Sequence, residues 1–189
     1  MLPISTPRLL LRRFTQADVL TFLAYRSDPA IARYQGWETC DLAEATMFVQ
    51  HQEAQQIGVG GEWLQIAIVV RATGLHIGDC ALRVDLDDHR QATIGITLAS
   101  EHQRHGFGAE ALSSLLDALF LQLELHRVRA DTGPENTGAW KLLERLGLRR
   151  EGHLLQSLWF KGRWADEYQY AILRDEWLKR SGRGYPQTS

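Results

Sequence analysis

The stretch Leu98-Ala99-Ser100-Glu101-His102-Gln103-Arg104-His105-Gly106-Phe107-Gly108-Ala109-Glu110-Ala111 gathers residue types that can hold a phosphate. A β-branched segment runs into a turn with two glycines, and the turn opens an amphipathic helix. The first turn of a helix carries unpaired N–H donors and a partial positive charge, so an anion can rest on it. Gly106 and Gly108 remove side chains that would hold a pyrophosphate off the backbone. Arg104 and His105 add positive charge at the rim. The same glycines also suit a plain strand-to-helix turn, so the loop by itself leaves both readings open. His102 and His105 read first as exposed loop histidines. Cys40 and Cys80 have no CxxC partner, and no His/Cys/Asp set has metal-ligand spacing. No metal site is expected, and both thiols read as ordinary buried cysteines in a reducing cytoplasm.

A loop of this kind needs a strand before it and a helix behind it. The chain has 189 residues, 44% hydrophobic and 23% charged, with a formal net charge of -2. These values suit one domain over residues 1–180 with a frayed tail at 181–189, and argue against a protein that grips nucleic acid by bulk charge. No apolar run is long enough to span a membrane, and the first residues meet Arg8, Arg12 and Arg13 before any signal-like block forms. Leu9 to Phe14 reads as a strand. Thr15 and Asp18 form a capping box for a helix bearing Val19, Leu20, Phe22 and Leu23 on its apolar face. Asp28-Pro29 opens a short helix. Asp41 and Glu44 cap another, with Ala43, Met47, Phe48 and His51 on one face, and Gly58, Gly60 and Gly61 break it. Trp63 to Val70, Ile77 to Val84 and Thr93 to Leu98 read as strands. Leu112, Leu115, Leu116, Leu119, Phe120 and Leu123 mark the buried stripe of a long helix. A strand at His126 to Asp131, a helix at Thr137 to Leu146 capped by Gly147, and strands at Gly152 to Phe160 and Trp164 to Leu173 follow. The order implies a mixed α/β (α+β) sheet with helices packed on it.

Gln103-Arg104-His105-Gly106-Phe107-Gly108 resembles the Q/R-x-x-G-x-G/A pyrophosphate loop of the GNAT N-acetyltransferases. Thr6-Pro7-Arg8-Leu9-Leu10-Leu11-Arg12 is similar to the opening strand of the RimJ/RimL branch, and Ile94-Gly95-Ile96-Thr97-Leu98 to that family's fourth strand. Asn136 with Leu142, Leu143 and Gly147-Leu148, then Arg150-Glu151-Gly152 and Leu173-Arg174-Asp175-Glu176-Trp177, continue the resemblance to the end. It implies a mixed central sheet with splayed middle strands and helices on both faces. It also implies acetyl-CoA as the acyl donor, with the pantetheine arm paired to strand groups at Ile96, Thr97 and Leu98. The pyrophosphate would sit on Gln103, Arg104, His105, Gly106, Phe107, Gly108 and Ala109. Transfer would be direct, without an enzyme nucleophile. Bulky replacements at Gly106 or Gly108 are expected to weaken cofactor binding and leave the fold intact.

The departures from the family pattern concern proton transfer. The family often has Glu where this chain has Thr93. A Tyr seven residues after the Asn is here Leu143, and a Ser three residues after it is here Ala139. By resemblance, Asn136 would touch the cofactor arm or simply cap its helix. Asp166, beside Glu167, would be a base or amine-orienting group, and Tyr168 a donor near the thioester. Trp37, Trp63, Trp159 and Trp164 would form an acceptor wall, a dimer surface or core. Asp85, Asp87 and Asp88 read as a solvated turn. The acceptor expected first is a protein N-terminal α-amine. The alternatives are a small amine such as an aminoglycoside, polyamine or amino-acid derivative, a succinyl donor, or a silent acyl-CoA sensor. A homodimer is expected, with neither nucleic acid nor membrane as partner.

Overall fold

The computed structural model describes residues 1–56 and 61–180. The expected tail at 181–189 and Gly58 and Gly60 lie outside the described residues. Two short strands, β1 (Ile4–Ser5) and β2 (Leu9–Arg13), lead to helices α1 (Val19–Arg26), α2 (Pro29–Ala32) and α3 (Leu42–Ala54). Strands β3 (Leu64–Val70), β4 (His76–Val84) and β5 (Gln91–Leu98) follow, then α4 (Phe107–Leu121), β6 (Arg127–Thr132) and α5 (Thr137–Leu146). The long strands β7 (Arg149–Phe160) and β8 (Arg163–Leu173) and helix α6 (Arg174–Arg180) complete the described residues. The eight strands form one mixed sheet in the order β1-β2-β3-β4-β5-β6-β8-β7.

Helices cover both faces of the sheet, which is why β3 is an almost unbroken apolar run with no in-out alternation. One core joins inward residues of β2 to β6 and β8 to α4, α5 and Trp177 of α6. The other packs Phe14, Val19, Phe22, Tyr25, Ala45 and Val49 on Ala67 and Ala99 from the opposite side. The α4 stripe is buried as expected except at Leu123, which lies past the helix and is 36% exposed.

Two faces differ from expectation. Leu20 of α1 and Met47 of α3 point outward, at 70% and 63% exposure. Helix α3 instead buries Ala45, Val49 and Gln52. Gln52 is polar, but its side chain donates to the Trp63 carbonyl at 3.1 Å and accepts from the Gln65 N–H at 2.7 Å. These bonds replace the water it lost. Helix α6 is present where only an ending motif was read, and its Trp177 donates from Nε1 to Asp117 at 3.0 Å.

The capping box at Thr15 and Asp18 is formed, but it belongs to a larger buried group. Both Asp18 oxygens accept from Arg12, at 2.6 and 2.8 Å, and His76 Nδ1 stands 3.7 Å away. His76 Nε2 lies 2.8 Å from the Gly78 carbonyl, so that nitrogen carries the ring proton. Burial pushes the His76 pKa down despite the nearby acids. Burial alone would raise the Asp18 carboxyl, yet the Arg12 and Thr15 hydrogen bonds hold it below the usual range.

The feature that shapes the site lies in mid-sheet. Strands β5 and β6 run parallel and pair only at Gln91–Arg127, Ala92–Val128 and Thr93–Arg129. Beyond that point β5 stays with β4 as far as Leu98, and β6 stays with β8 as far as Thr132. The two edges part and leave a notch between Ile94–Leu98 and Ala130–Thr132, as the family resemblance implied.

Candidate functional site

The expected phosphate loop closes the far end of β5. Gly106 is the N-cap of α4 at φ +81°, a left-handed conformation that costs side-chain-bearing residues. Gln103 ties the loop back by donating from Nε2 to the Leu98 carbonyl at 3.0 Å. The first α4 hydrogen bond runs from the Glu110 N–H to the Gly106 carbonyl at 3.1 Å. The N–H groups of Phe107, Gly108 and Ala109 therefore precede any intrahelical acceptor and are free to meet an anion. Arg104, also at positive φ, and His105 are exposed on the same rim. His102 is half-buried, with its ring centroid 6.5 Å from that of Phe107.

A brace that was not read from the sequence holds this loop. The Arg8 guanidinium donates to Glu110 at 2.6 Å and to the His105 carbonyl at 3.0 Å, and it lies 4.6 Å from the Phe107 ring centre. The Arg8 N–H and Thr6 Oγ1 also donate to Glu110, at 2.9 and 2.6 Å. Burial pushes the Glu110 carboxyl up, but these bonds outweigh it and hold the pKa below its ordinary value. The signal in the sequence was an acid in the first helical turn and an arginine in the opening strand. Only the fold joins them, since β2 lies beneath α4.

Gly108 does a different job from Gly106. A Cβ there would stand 3.2 Å from Leu142 Cδ2 and 3.5 Å from Leu98 Cδ1. Its missing side chain lets α4 approach α5 and β5. A bulky replacement would disturb that packing, which corrects the expectation that both glycine changes leave the fold intact.

On the opposite side of the sheet is a cavity of about 350 Å³. Arg33 and Tyr34 form one wall, the segment Asp131 to Asn136 the floor, and Leu158, Phe160 and Arg163 to Glu167 the other wall. Asn136 and Asp166 thus border the same space. Asn136 caps α5, its Oδ1 accepting the Ala139 N–H at 3.3 Å. Asp166 Oδ1 accepts the Gln156 N–H at 2.9 Å, and Oδ2 lies 2.8 Å from His153 Nε2. These two partners lower its pKa. Tyr168 does not line the cavity. It pairs with Thr132, and its ring packs edge-on to His153 and Tyr170, with the Arg150 guanidinium 4.4 Å from its centre. Of the tryptophans, only Trp164 lines the cavity, and it meets Trp159 edge-on at 5.4 Å. Trp37 lies under Arg26, and Trp63 beneath Arg83.

Two carboxylates stand out. On β6, Val128 and Ala130 face the α4–α5 core, which sends Arg129 and Asp131 to the cavity side. Asp131 is paired across the ladder with Gln169, and Glu167 is two residues along on the same face of β8. Neither carboxylate has a hydrogen bond or ion pair among the described residues. Asp131 is exposed, yet the protein packed beside it raises its pKa against the pull of Arg129 and Arg83. Burial raises Glu167, and the neighbouring Asp131 charge adds to it. Pattern reading passed over Asp131 because its role depends on strand pairing.

Thr93 has a structural role. It is 4% exposed, and its Oγ1 accepts from Arg129 at 2.9 Å where the β5–β6 ladder ends. Leu143 is core and Ala139 half-buried. The hairpin acids are engaged as well, Asp85 with Arg129 and Asp88 with Arg90. Cys80 is buried, and burial pushes its thiol up, whereas Cys40 is only half-buried. Among the described residues, no cluster of three or more His, Cys, Asp or Glu could hold a metal, and no helix is long and apolar enough to cross a membrane.

Comparison with known proteins matches residues 8–149 to the family model described as Acetyltransferase (GNAT) domain. The N-acetyltransferase p20 of Bacillus licheniformis is 32% identical over 175 residues, covering 92% of this chain and 97% of that protein. The spermidine N-acetyltransferase of Vibrio cholerae, solved with CoA and spermine, superimposes with a TM-score of 0.78 at 25% identity, over 92% of this chain and 99% of that one. RimJ of Mycobacterium smegmatis, solved with CoA-disulfide, gives 0.77 at 25% identity, over 96% and 93%.

Proposed function

Because the chain belongs to the GNAT acetyltransferase family and takes its acyl group from acetyl-CoA, we propose that its acceptor is a small primary amine carrying more than one positive charge. The observation that carries this reading is the pair Asp131 and Glu167, two carboxylates with no hydrogen bond or ion pair among the described residues, on one side of the 350 Å³ cavity. A multiply charged amine offers each carboxylate a charge partner, Asp131 on the exposed side of β6 and Glu167 half-buried beside it. The cavity also holds aliphatic and aromatic surface, Leu158, Phe160 and Tyr34, against which a carbon chain packs.

Acetyl-CoA, when bound, supplies a thioester carbonyl. The residues that fit it are the Gln103–Ala109 loop, with the Phe107 to Ala109 amides for the pyrophosphate, and the unpaired β5 edge at Ile96, Thr97 and Leu98 for the arm. Asn136 stands where α5 begins and lines the cavity. An ammonium must lose a proton before it can attack, and Asp131 and Glu167 are suited to accept it. Their raised pKa values make them stronger bases than ordinary carboxylates. Asp166 is the weaker base because its partners lower its pKa. With Thr93, Leu143 and Ala139 in place of the family's usual groups, the thiolate leaves without a dedicated acid. A thiol pKa near ~8.5 permits that.

The test is thiol release from acetyl-CoA with spermidine, an alanine-initiated peptide, kanamycin and n-butylamine, in the native protein and in Asp131→Asn. Spermidine turnover that exceeds the peptide's, and that falls in the variant, supports the reading. Turnover of the peptide alone supports the RimJ/RimL-type reading, an N-terminal α-amine, which the likeness to RimJ favours. A homodimer is proposed from the exposed apolar residues Leu155, Trp159 and Trp164 on the β7–β8 ribbon. Sedimentation as a monomer at micromolar concentration counts against it.

A further inference from the structure

The longest irregularity in the sheet faces the acceptor cavity. Strands β7 and β8 are in register from His153–Tyr168 to Leu154–Glu167 and resume at Leu158–Ala165. Residues 155–157 therefore oppose Asp166 alone. Continuing the upstream register would set Leu158 opposite Arg163, whereas Leu158 pairs with Ala165 and Phe160 with Arg163. The bulge moves Leu158 and Phe160 two residues along β8 on the same face, and there they line the cavity. At the centre of the bulge, Gln156 adopts φ +47°, a conformation that needs outside support. That support is the Asp166 carboxylate, which accepts the Gln156 N–H at 2.9 Å and meets His153 at 2.8 Å.

We propose that Asp166 is a positioning residue: it pins the β7 bulge and thereby sets Leu158 and Phe160 as the apolar wall that selects the acceptor's carbon chain. This deepens the amine-acyltransferase reading and rests on it. The staple needs an acceptor atom at Asp166 and does not need a base there, so the two roles separate by substitution. Asp166→Asn keeps an oxygen for the Gln156 N–H, and Asp166→Ala removes it.

Two measurements decide the proposal. The first is amide exchange at Gln156. Asp166→Ala loses roughly tenfold or more in protection, and Asp166→Asn stays near the native value. The second is kcat/KM for 1,8-diaminooctane relative to 1,3-diaminopropane. The native protein and Asp166→Asn favour the longer chain, while Asp166→Ala loses roughly tenfold of that preference, through KM more than through kcat. Unchanged exchange in Asp166→Ala overturns the staple. An equal fall in kcat for both amines in both variants overturns the positioning role and makes Asp166 a base. Failure of the native protein to use either amine defeats the acceptor reading and leaves the staple to the exchange result.

Discussion

Gly106→Ala separates the phosphate loop's role from its geometry. Gly106 sits at φ +81°, and a Cβ there would stand 3.3 Å from an Arg8 guanidinium nitrogen. A left-handed residue with a side chain costs about 1–2 kcal/mol. The contact adds little if Arg8 yields, but Arg8 is held by Glu110 and the His105 carbonyl, so yielding loosens the brace. Gly74 is the matched control. It has φ +70° and no atom within 4 Å of the added Cβ, and it lies in the β3–β4 turn. Both Ala variants should lose about 1–2 kcal/mol of stability, a fall in Tm of roughly 2–8 °C for a chain of this size. Only Gly106→Ala should weaken acetyl-CoA binding, because the ligand must then hold the loop in its strained form. Binding restores whatever strain the free loop relieves by relaxing, so the 1–2 kcal/mol sets a ceiling of roughly 5- to 30-fold on the rise in Kd, and the part spent there is missing from the melting loss. Calorimetric titration with acetyl-CoA and a thermal melt of each variant provide the readings. Equal acetyl-CoA affinity in the two variants, with a melting loss at Gly106 smaller than at Gly74, refutes the assignment of the α4 N-terminus to the pyrophosphate, because the loop has then relaxed at no cost to binding.

Arg8→Ala should raise the acetyl-CoA Kd several-fold while changing Tm little, since the pair it breaks is largely exposed on the Arg side; unchanged affinity would show that the loop holds its shape alone. In kcat/KM–pH profiles taken with one amine, Asp131→Asn removes a charge that raises Glu167, so the acidic limb should move to lower pH; a limb that stays put excludes Glu167 as the group being titrated. Stability should fall as pH drops below about 6.5, because unfolded histidine takes up a proton that buried His76 resists. Asp18, whose folded pKa is lowered, loses its contribution further down, as pH falls through the carboxylate range. His76→Gln should flatten the upper part of that decline in melts from pH 7.5 to 5, and an unaltered slope would assign it to other groups.

Helix α5 shows where sequence was enough. Its bounds, Thr137–Leu146, match expectation because a capping Asn136 and a left-handed Gly147 mark both ends with residue types that few other conformations want. The strands were legible in kind but not at their ends, since β5 begins at Gln91, where pairing with β4 and β6 decides the matter. The inward face of α3 was misassigned because Gln52 is buried on bonds to β3, a long-range exchange that no helical period encodes. The phosphate loop was readable because its parts are contiguous. The acceptor cavity was not, because Asp131, Glu167 and Leu158 come from three strands and meet only through register.

The short β5–β6 ladder has a mechanical consequence. Strands β1 to β5 form one plate and β6 to β8 another, and within the sheet three residue pairs at one end join them. Two plates fastened at one end respond to load like the arms of a tweezer, with the largest displacement at the open tips. Leu98 and the phosphate loop ride on one tip, and Thr132 and Asn136 on the other. A molecule that bonds to both arms ties the tips together, so occupancy of the notch and the width of the acceptor cavity become one mechanical variable. Pulling the arms apart through cysteines placed near Ser100 and Pro134 would then lower affinity for the donor and reshape the acceptor side in the same stroke.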